Sequence, residues 1–212
     1  METKDHIIEI LKRTFCVIDS VYLCNDESLG RTDLKEAGSR IIFPKYSQKY
    51  REGKRRISEQ ELRFIFVEQF NDYCDETTWQ ALYSVETPTE EKYKFSGEEL
   101  PRAITNGENG GQSAMIDTTI HDEKGHRLCF LEFKANNPEA FCYQKDFVKL
   151  NAEIGMGFFV QILENENKGT MPNILKKIEN FTGNSYFICH VLNGKTYYKA
   201  QPDLRIDGWE KR

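Results

Sequence analysis

The sequence predicts an α/β (α+β) fold in which a mixed central sheet is flanked by helices, with a helical extension at the N-terminus. Three observations carry this expectation. Residues 113–137, SAMIDTTIHDEKGHRLCFLEFKANN, place two β-branched and apolar runs about a polar turn ending in Gly125, the pattern of an antiparallel hairpin. Residues 3–24 and 58–73 repeat apolar side chains at helical spacing. Residues 157–163, GFFVQIL, form a continuous apolar run of the length expected for a buried strand.

Taken in order, residues 3–24 carry Ile7, Ile8, Ile10, Leu11, Phe15, Ile18 and Val21 near helical spacing, so an amphipathic helix should pack on the main body or on a partner chain. Residues 37–54, with Gly38, Pro44 and Gly53, read as a connector whose basic tail runs from Lys45 through Lys49, Arg51, Lys54 and Arg55 to Arg56, interleaved with Tyr46 and Tyr50. That tail is either a solvated face or a strip that contacts phosphates while its tyrosines stack on bases. Ser58 and Glu61 form a capping box at the start of the next helix. On a wheel of about 100° per residue, Leu62, Ile65, Phe66, Phe70 and Tyr73 share an arc with Glu59 near its centre, so Glu59 faces inward. Residues 79–85 should be the strand before the hairpin, and the polar, Gly-rich residues 96–112 a loop. Asn137-Pro138 then caps and opens a helix to about residue 153, residues 172–181 form another, and 185–192 pairs with 196–200 across Asn193-Gly194. The chain divides into an N-terminal helix and basic connector (1–54), a core (55–200) and a C-terminal tail (201–212).

Composition narrows the chemistry. At 212 residues, 39% hydrophobic and 30% charged, the chain can bury a sizeable core, and no apolar run reaches the ~20 residues of a membrane span. METKDHIIEILKR lacks the uninterrupted apolar region of a signal peptide, which points to the cytoplasm and to no membrane partner. Six scattered cysteines without a C-x-x-C, and four dispersed histidines, argue against zinc and against a Ser-His triad. A net charge of −5 excludes a uniformly basic surface, so any nucleic-acid footprint must be local.

The hairpin carries the chemistry. Side chains alternate along a strand, so Cys129, Leu131, Phe133 and Ala135 form an apolar face, while Leu128, Phe130, Glu132 and Lys134 form the other. Folding about Lys124 and Gly125 brings Asp117 roughly opposite Glu132. Two such carboxylates repel unless a proton or cation lies between them, and Mg2+ (or Mn2+) satisfies both with oxygen ligands while keeping several waters. A neighbouring lysine then lowers the pKa of an attacking water or steadies charge on a phosphate. Metal-assisted hydrolysis of phosphodiester bonds is the reaction this set suits.

Asp117, followed fifteen residues later by Glu132-Phe133-Lys134 on the next strand, resembles the signature of the PD-(D/E)XK (restriction endonuclease-like) nuclease superfamily. Ile116 stands where the motif has proline. The resemblance implies an αβββαβ core, Asp117 and Glu132 as ligands of Mg2+ with the Phe133 carbonyl completing the site, and Lys134 as the catalytic lysine. It further implies Glu59 as an additional acid from the first core helix, and Gln144 and Lys145 beside the site. The function expected is a metal-dependent nuclease acting on nucleic acid, DNA first, as a homodimer or with a partner subunit. The alternative is a catalytically inactive module of the same fold that binds nucleic acid or protein; a third reading is a plain Lys134–Glu132 ion pair.

Overall fold

In the computed structural model, the structure describes residues 1–24, 38–46, 54–94, 102–103, 110–180, 183 and 185–199. Its elements are α1 (Thr3–Cys24), α2 (Glu59–Glu76), β1 (Ala81–Lys94), β2 (Arg102–Ala103), β3 (Gln112–Asp122), β4 (Arg127–Ala135), α3 (Ala140–Ala152), β5 (Met156–Leu163), α4 (Thr170–Ile178), β6 (Tyr186–Val191) and β7 (Thr196–Lys199). The strands join in one mixed sheet of order β2-β1-β3-β4-β5-β6-β7. β1, β3 and β4 run antiparallel as a meander, β4, β5 and β6 run parallel, and β7 returns antiparallel on β6. The two parallel connections each cross over through a helix, α3 and α4, because parallel neighbours need a long return.

Both faces of the sheet are covered. On one side α1 and α2 bury Ile7, Leu11, Phe15, Leu62 and Phe66 against Cys129, Leu131, Phe133, Phe158, Val160 and Ile188. On the other, α3 and α4 bury Tyr143, Phe147, Leu150 and Ile174 against Phe130, Phe159, Phe187 and Cys189. This explains the apolar character of β5 at odd and even positions alike, since a central strand is covered on both faces; its one polar side chain, the buried Gln161, donates to the Tyr143 hydroxyl. The apolar stripe of α1 is thus covered within the chain, by α2 and the sheet. Among the described residues no helix is long and apolar enough to cross a membrane.

Local details depart from the expected ones for identifiable reasons. Ser58 stands at the N-cap of α2 but makes no capping bond to an amide. Its hydroxyl donates to Glu61, which also accepts from Arg56 at 2.7 Å, so the Glu61 carboxylate is taken up by the Ser58 hydroxyl and an arginine rather than by the amides of the helix start. Asn137 does not cap α3 either; its side-chain oxygen accepts from Lys177 at 2.9 Å, and Glu139 takes the cap position. β1 is twice as long as expected, and its polar second half is held from far away. The buried Glu153 carboxylate accepts from the amides of Glu90 and Glu91 at 2.9 and 3.2 Å, where the register with β3 slips between Pro88 and Lys92.

The α1–α2 contact contains an ionisable group. His6 stacks on Trp79 with ring centres 4.4 Å apart and shares a 2.7 Å hydrogen bond with the Tyr73 hydroxyl. Burial, with the nearby N-terminal ammonium, lowers its pKa below 6.5. A depressed folded pKa means that the unfolded chain takes up more protons. The stability His6 contributes is therefore complete above 6.5 and lost as pH falls through the lower folded value. Melting temperature followed from pH 7.5 to 5 is expected to fall less steeply in His6→Phe than in the unaltered protein; identical slopes would contradict this assignment.

Candidate active site

The hairpin delivers two acids to the same end of the sheet. β3 pairs with β4 through Ile120–Cys129, Thr119–Phe130 and Thr118–Leu131, and the ladder stops there. At the next residue the Asp117 carboxylate takes over, its Oδ2 accepting the Phe133 amide at 2.8 Å. A side chain thus substitutes for the missing backbone acceptor and is drawn between the strands. Glu132, one position on, points to the face covered by α3 and is 1% exposed.

α3 meets it with charged groups of its own. Asp146 and Lys149, three residues apart, lie on one helix face. Lys149 Nζ lies 2.5 Å from Glu132 Oε1 and 2.9 Å from Asp146 Oδ1, and donates to the Met115 carbonyl at 3.0 Å. Each proton of the ammonium thereby has an acceptor. Asp146, 3% exposed, lies with Oδ2 2.8 Å from Lys134 Nζ, and Lys134 lies 3.3 Å from Glu59 Oε2. The charges alternate from the interior outward: Glu132, Lys149, Asp146, Lys134, Glu59. Glu59 terminates the series on the open side, its side chain 45% exposed.

Burial sets the protonation of this cluster. It raises the Asp117 carboxyl against the opposing effects of the Phe133 amide, Lys134 and Lys149. Glu132 is pushed well above the ordinary carboxylate range by burial and then by Asp146, with Lys149 opposing. Burial alone would deprotonate the lysines, but Asp146, Glu59 and Glu132 outweigh it at Lys134, and Glu132 and Asp146 do so at Lys149. Both remain ammonium groups. Asp117, Glu132, Asp146 and Glu59 outnumber the two ammoniums, so the cluster retains unbalanced negative charge when fully ionised.

A cleft of about 420 Å³ opens on this cluster, lined among others by Ser58, Glu59, Lys134, Phe141, Lys145 and Asp146. Of the expected site residues, Glu59, Asp117, Glu132 and Lys134 come together, and Lys145 lines the cleft. Gln144 instead donates to the Lys177 carbonyl at 3.4 Å, joining α3 to α4. In the basic strip, Arg55 donates to the Tyr22 carbonyl and lies 5.1 Å over the Tyr22 ring, while Arg56 pairs with Glu61. Those two arginines pin α1 and α2. Lys45 bridges to Arg55 through the backbone and Lys54 is exposed; Lys49 and Arg51 lie outside the described residues. The third reading of the sequence is corrected here: Lys134 pairs with Asp146 and Glu59, and Glu132 pairs with Lys149.

Asp146 and Lys149 escaped sequence reading, though a signal exists for the first. Asp146 borders the apolar arc of Tyr143, Phe147 and Leu150, while Lys149 lies well outside it and carries no such signal. A charge at the border of a buried arc requires a buried partner.

Asp117 and Glu132 are the hard oxygen donors that Mg2+ takes in ones and twos while keeping its waters, and their pKa values are raised chiefly by burial, with repulsion from Asp146 adding to it. In kind, the donor set fits a hard dication. Among the described residues, however, no group of three or more His, Cys, Asp or Glu side chains is placed to hold a metal ion. Glu132 is satisfied by an ammonium instead. Comparison with protein-family models, with curated proteins and with solved structures finds no match to this chain.

Removing one partner of a buried pair leaves an uncompensated charge. Lys149→Met is therefore expected to cost ~3–5 kcal/mol in denaturant unfolding, against under about 0.5 kcal/mol for the surface change Lys145→Met. Adding Glu132→Leu to Lys149→Met should restore most of the loss. Unfolding of Lys149→Met at the native denaturant midpoint would contradict the pairing.

Proposed function

We propose that the chain is a metal-dependent nuclease of the restriction endonuclease-like type, hydrolysing phosphodiester bonds of nucleic acid, DNA first. The observation that carries the reading is the meeting of Asp117, Glu132, Lys134 and Glu59 in one charged cluster, whose outer members Lys134 and Glu59 line a cleft while Glu132 lies buried behind them. The element order supports it: α2, the antiparallel meander β1-β3-β4, the α3 crossover and the parallel strand β5 follow the αβββαβ sequence of that core.

Asp117, Glu132 and the Phe133 carbonyl would hold Mg2+ or Mn2+, which when bound polarises the phosphate and lowers the pKa of its water. Lys134 acts in its charged form. An ammonium held above its ordinary pKa is a poor base, so Lys134 stabilises the negative charge that grows on the phosphate oxygens rather than taking a proton from water. Asp146, 2.8 Å from Lys134 Nζ, fixes where that charge sits. Lys149 neutralises Glu132 from the closed side and keeps the buried carboxylate from repelling Asp146. Lys145 stands at the cleft wall as a phosphate contact.

The decisive assay incubates the purified protein with single- and double-stranded DNA and with RNA, in Mg2+, Mn2+ or a chelator. Metal-dependent cleavage is expected, falling about 10²–10³-fold in Lys134→Ala, the scale of losing one preorganised charge donor. Cleavage at equal rates in Lys134→Ala and in the unaltered protein would reject the assignment.

The second reading, a module of this fold without catalysis, is favoured by one observation: Lys149 already satisfies Glu132, so that carboxylate has its counter-charge without a metal. The two readings differ in linkage. A bound dication should raise the melting temperature in proportion to ln(1 + [M]/Kd), whereas the inactive module should melt at the same temperature with and without Mg2+ or Mn2+.

A further inference from the structure

The cleft wall beside Lys134 contains two groups that the cluster does not use. Phe141, on the first turn of α3, lines the cleft, is 37% exposed, and has no ring partner among the described residues. Lys145, four residues on and therefore on the same helix face, also lines it and has no ion pair or hydrogen bond among the described residues. A free aromatic face one helical turn from a free ammonium matches the two parts of a nucleotide, and the floor bears Lys134, whose charge is shared with Glu59 and Asp146 in the same cleft. The π-face of a base stacks on the ring, and the adjoining phosphate lies toward the cations. Ile57 and Ala135 supply apolar surface on the floor, and the volume of about 420 Å³ is that of a small-molecule site.

Charge decides which nucleic acid fits. Binding to a duplex without base stacking relies on many phosphate contacts, and this chain, at −5 overall, has two arginines of its basic strip engaged internally at Tyr22 and Glu61. A base inside a duplex is already stacked on both faces, so Phe141 could reach one only after unstacking it, at a cost of a few kcal/mol. An unpaired nucleotide offers its π-face freely. Stacking then contributes what the sparse cations do not.

We infer that the cleft between α2 and α3 receives an unpaired nucleotide, with its base on Phe141 and its phosphate between Lys134 and Lys145, so that the substrate class is single-stranded nucleic acid. This rests on the nucleic-acid reading proposed above, and it is tested by binding rather than cleavage, so that the two can fail separately. Fluorescence anisotropy of a labelled oligothymidylate and of a duplex of equal length is measured in a chelator with the full chain. Tighter binding of the single strand is expected. Phe141→Ala should weaken single-strand binding by roughly 5- to 150-fold, the effect of one stacked base, and Phe141→Trp should retain it. Lys145→Gln should weaken single strand and duplex alike and lower the salt dependence by about one ion. Far-ultraviolet circular dichroism of each variant confirms folding, which a partly exposed side chain on the first helical turn does not endanger. Unchanged single-strand affinity in Phe141→Ala, equal affinity for duplex and single strand, or binding to neither would overturn the inference. Single-strand binding that persists while no metal supports cleavage would instead count against the nuclease reading alone.

Discussion

The ion pair between Lys149 and Glu132 is the constraint on which the rest of the site depends. A carboxylate 1% exposed at the centre of a sheet is tolerated only with a charge or proton close by, and here α3 supplies an ammonium at 2.5 Å. The same ammonium reaches Asp146 on its own helix and the Met115 carbonyl on β3. One side chain therefore fixes the helix, the hairpin and the acid cluster relative to one another. Without it, α3 would present Asp146 to Glu132 and Asp117 with Lys134 as the one ammonium left in the cluster to offset their repulsion.

Two further buried polar contacts frame this arrangement. Asp117 Oδ2 closes the hairpin by accepting the Phe133 amide, so the acid is held by the backbone whose strand carries Glu132 and Lys134. At the far end of α3, Glu153 accepts the amides of Glu90 and Glu91 and lies 3.3 Å from Arg127, tying the irregular half of β1 to the helix. Elsewhere the layers meet mainly through hydrocarbon, with single polar links such as Gln161 to the Tyr143 hydroxyl and His190 to Asp19. Charge is concentrated where α3 crosses the ends of β3 and β4, and the cleft opens at that point because Lys134 and Glu59 lead the alternating series out to solvent.

Much of this was legible in the sequence because local pattern and burial agree. The hairpin follows from two apolar runs about Gly125, whose φ of 86° suits a residue without Cβ. Asp117, Glu132 and Lys134 were readable because each sits on a strand whose period is plain. Glu59, expected to face inward, instead lies on the open side with its side chain 45% exposed, and Glu61 is the buried acid of that helix. The remaining parts were hidden because they depend on contacts between distant segments. β1 continues through TPTEEKYK because β3 pairs with it on both sides of the slip and Glu153, 63 residues from Glu90, holds the amides within the slip. Asn137-Pro138 reads as a cap until Lys177, 40 residues on, claims the asparagine oxygen. Arg55 and Arg56 read as free cations in a basic run, yet Tyr22 and Glu61 engage them. Lys149 lies off the apolar arc of its helix, and one-dimensional spacing does not reveal that Glu132 faces it across the layer.

The most direct measurement is anomalous diffraction from crystals of the full chain soaked in Mn2+. A single manganese peak in contact with the Asp117 and Glu132 carboxylates, with Lys149 Nζ withdrawn from Glu132 Oε1, is the expected result. Diffraction that shows no manganese at these carboxylates, with the 2.5 Å contact between Lys149 and Glu132 intact, would contradict the cluster's role as a metal-dependent hydrolytic centre.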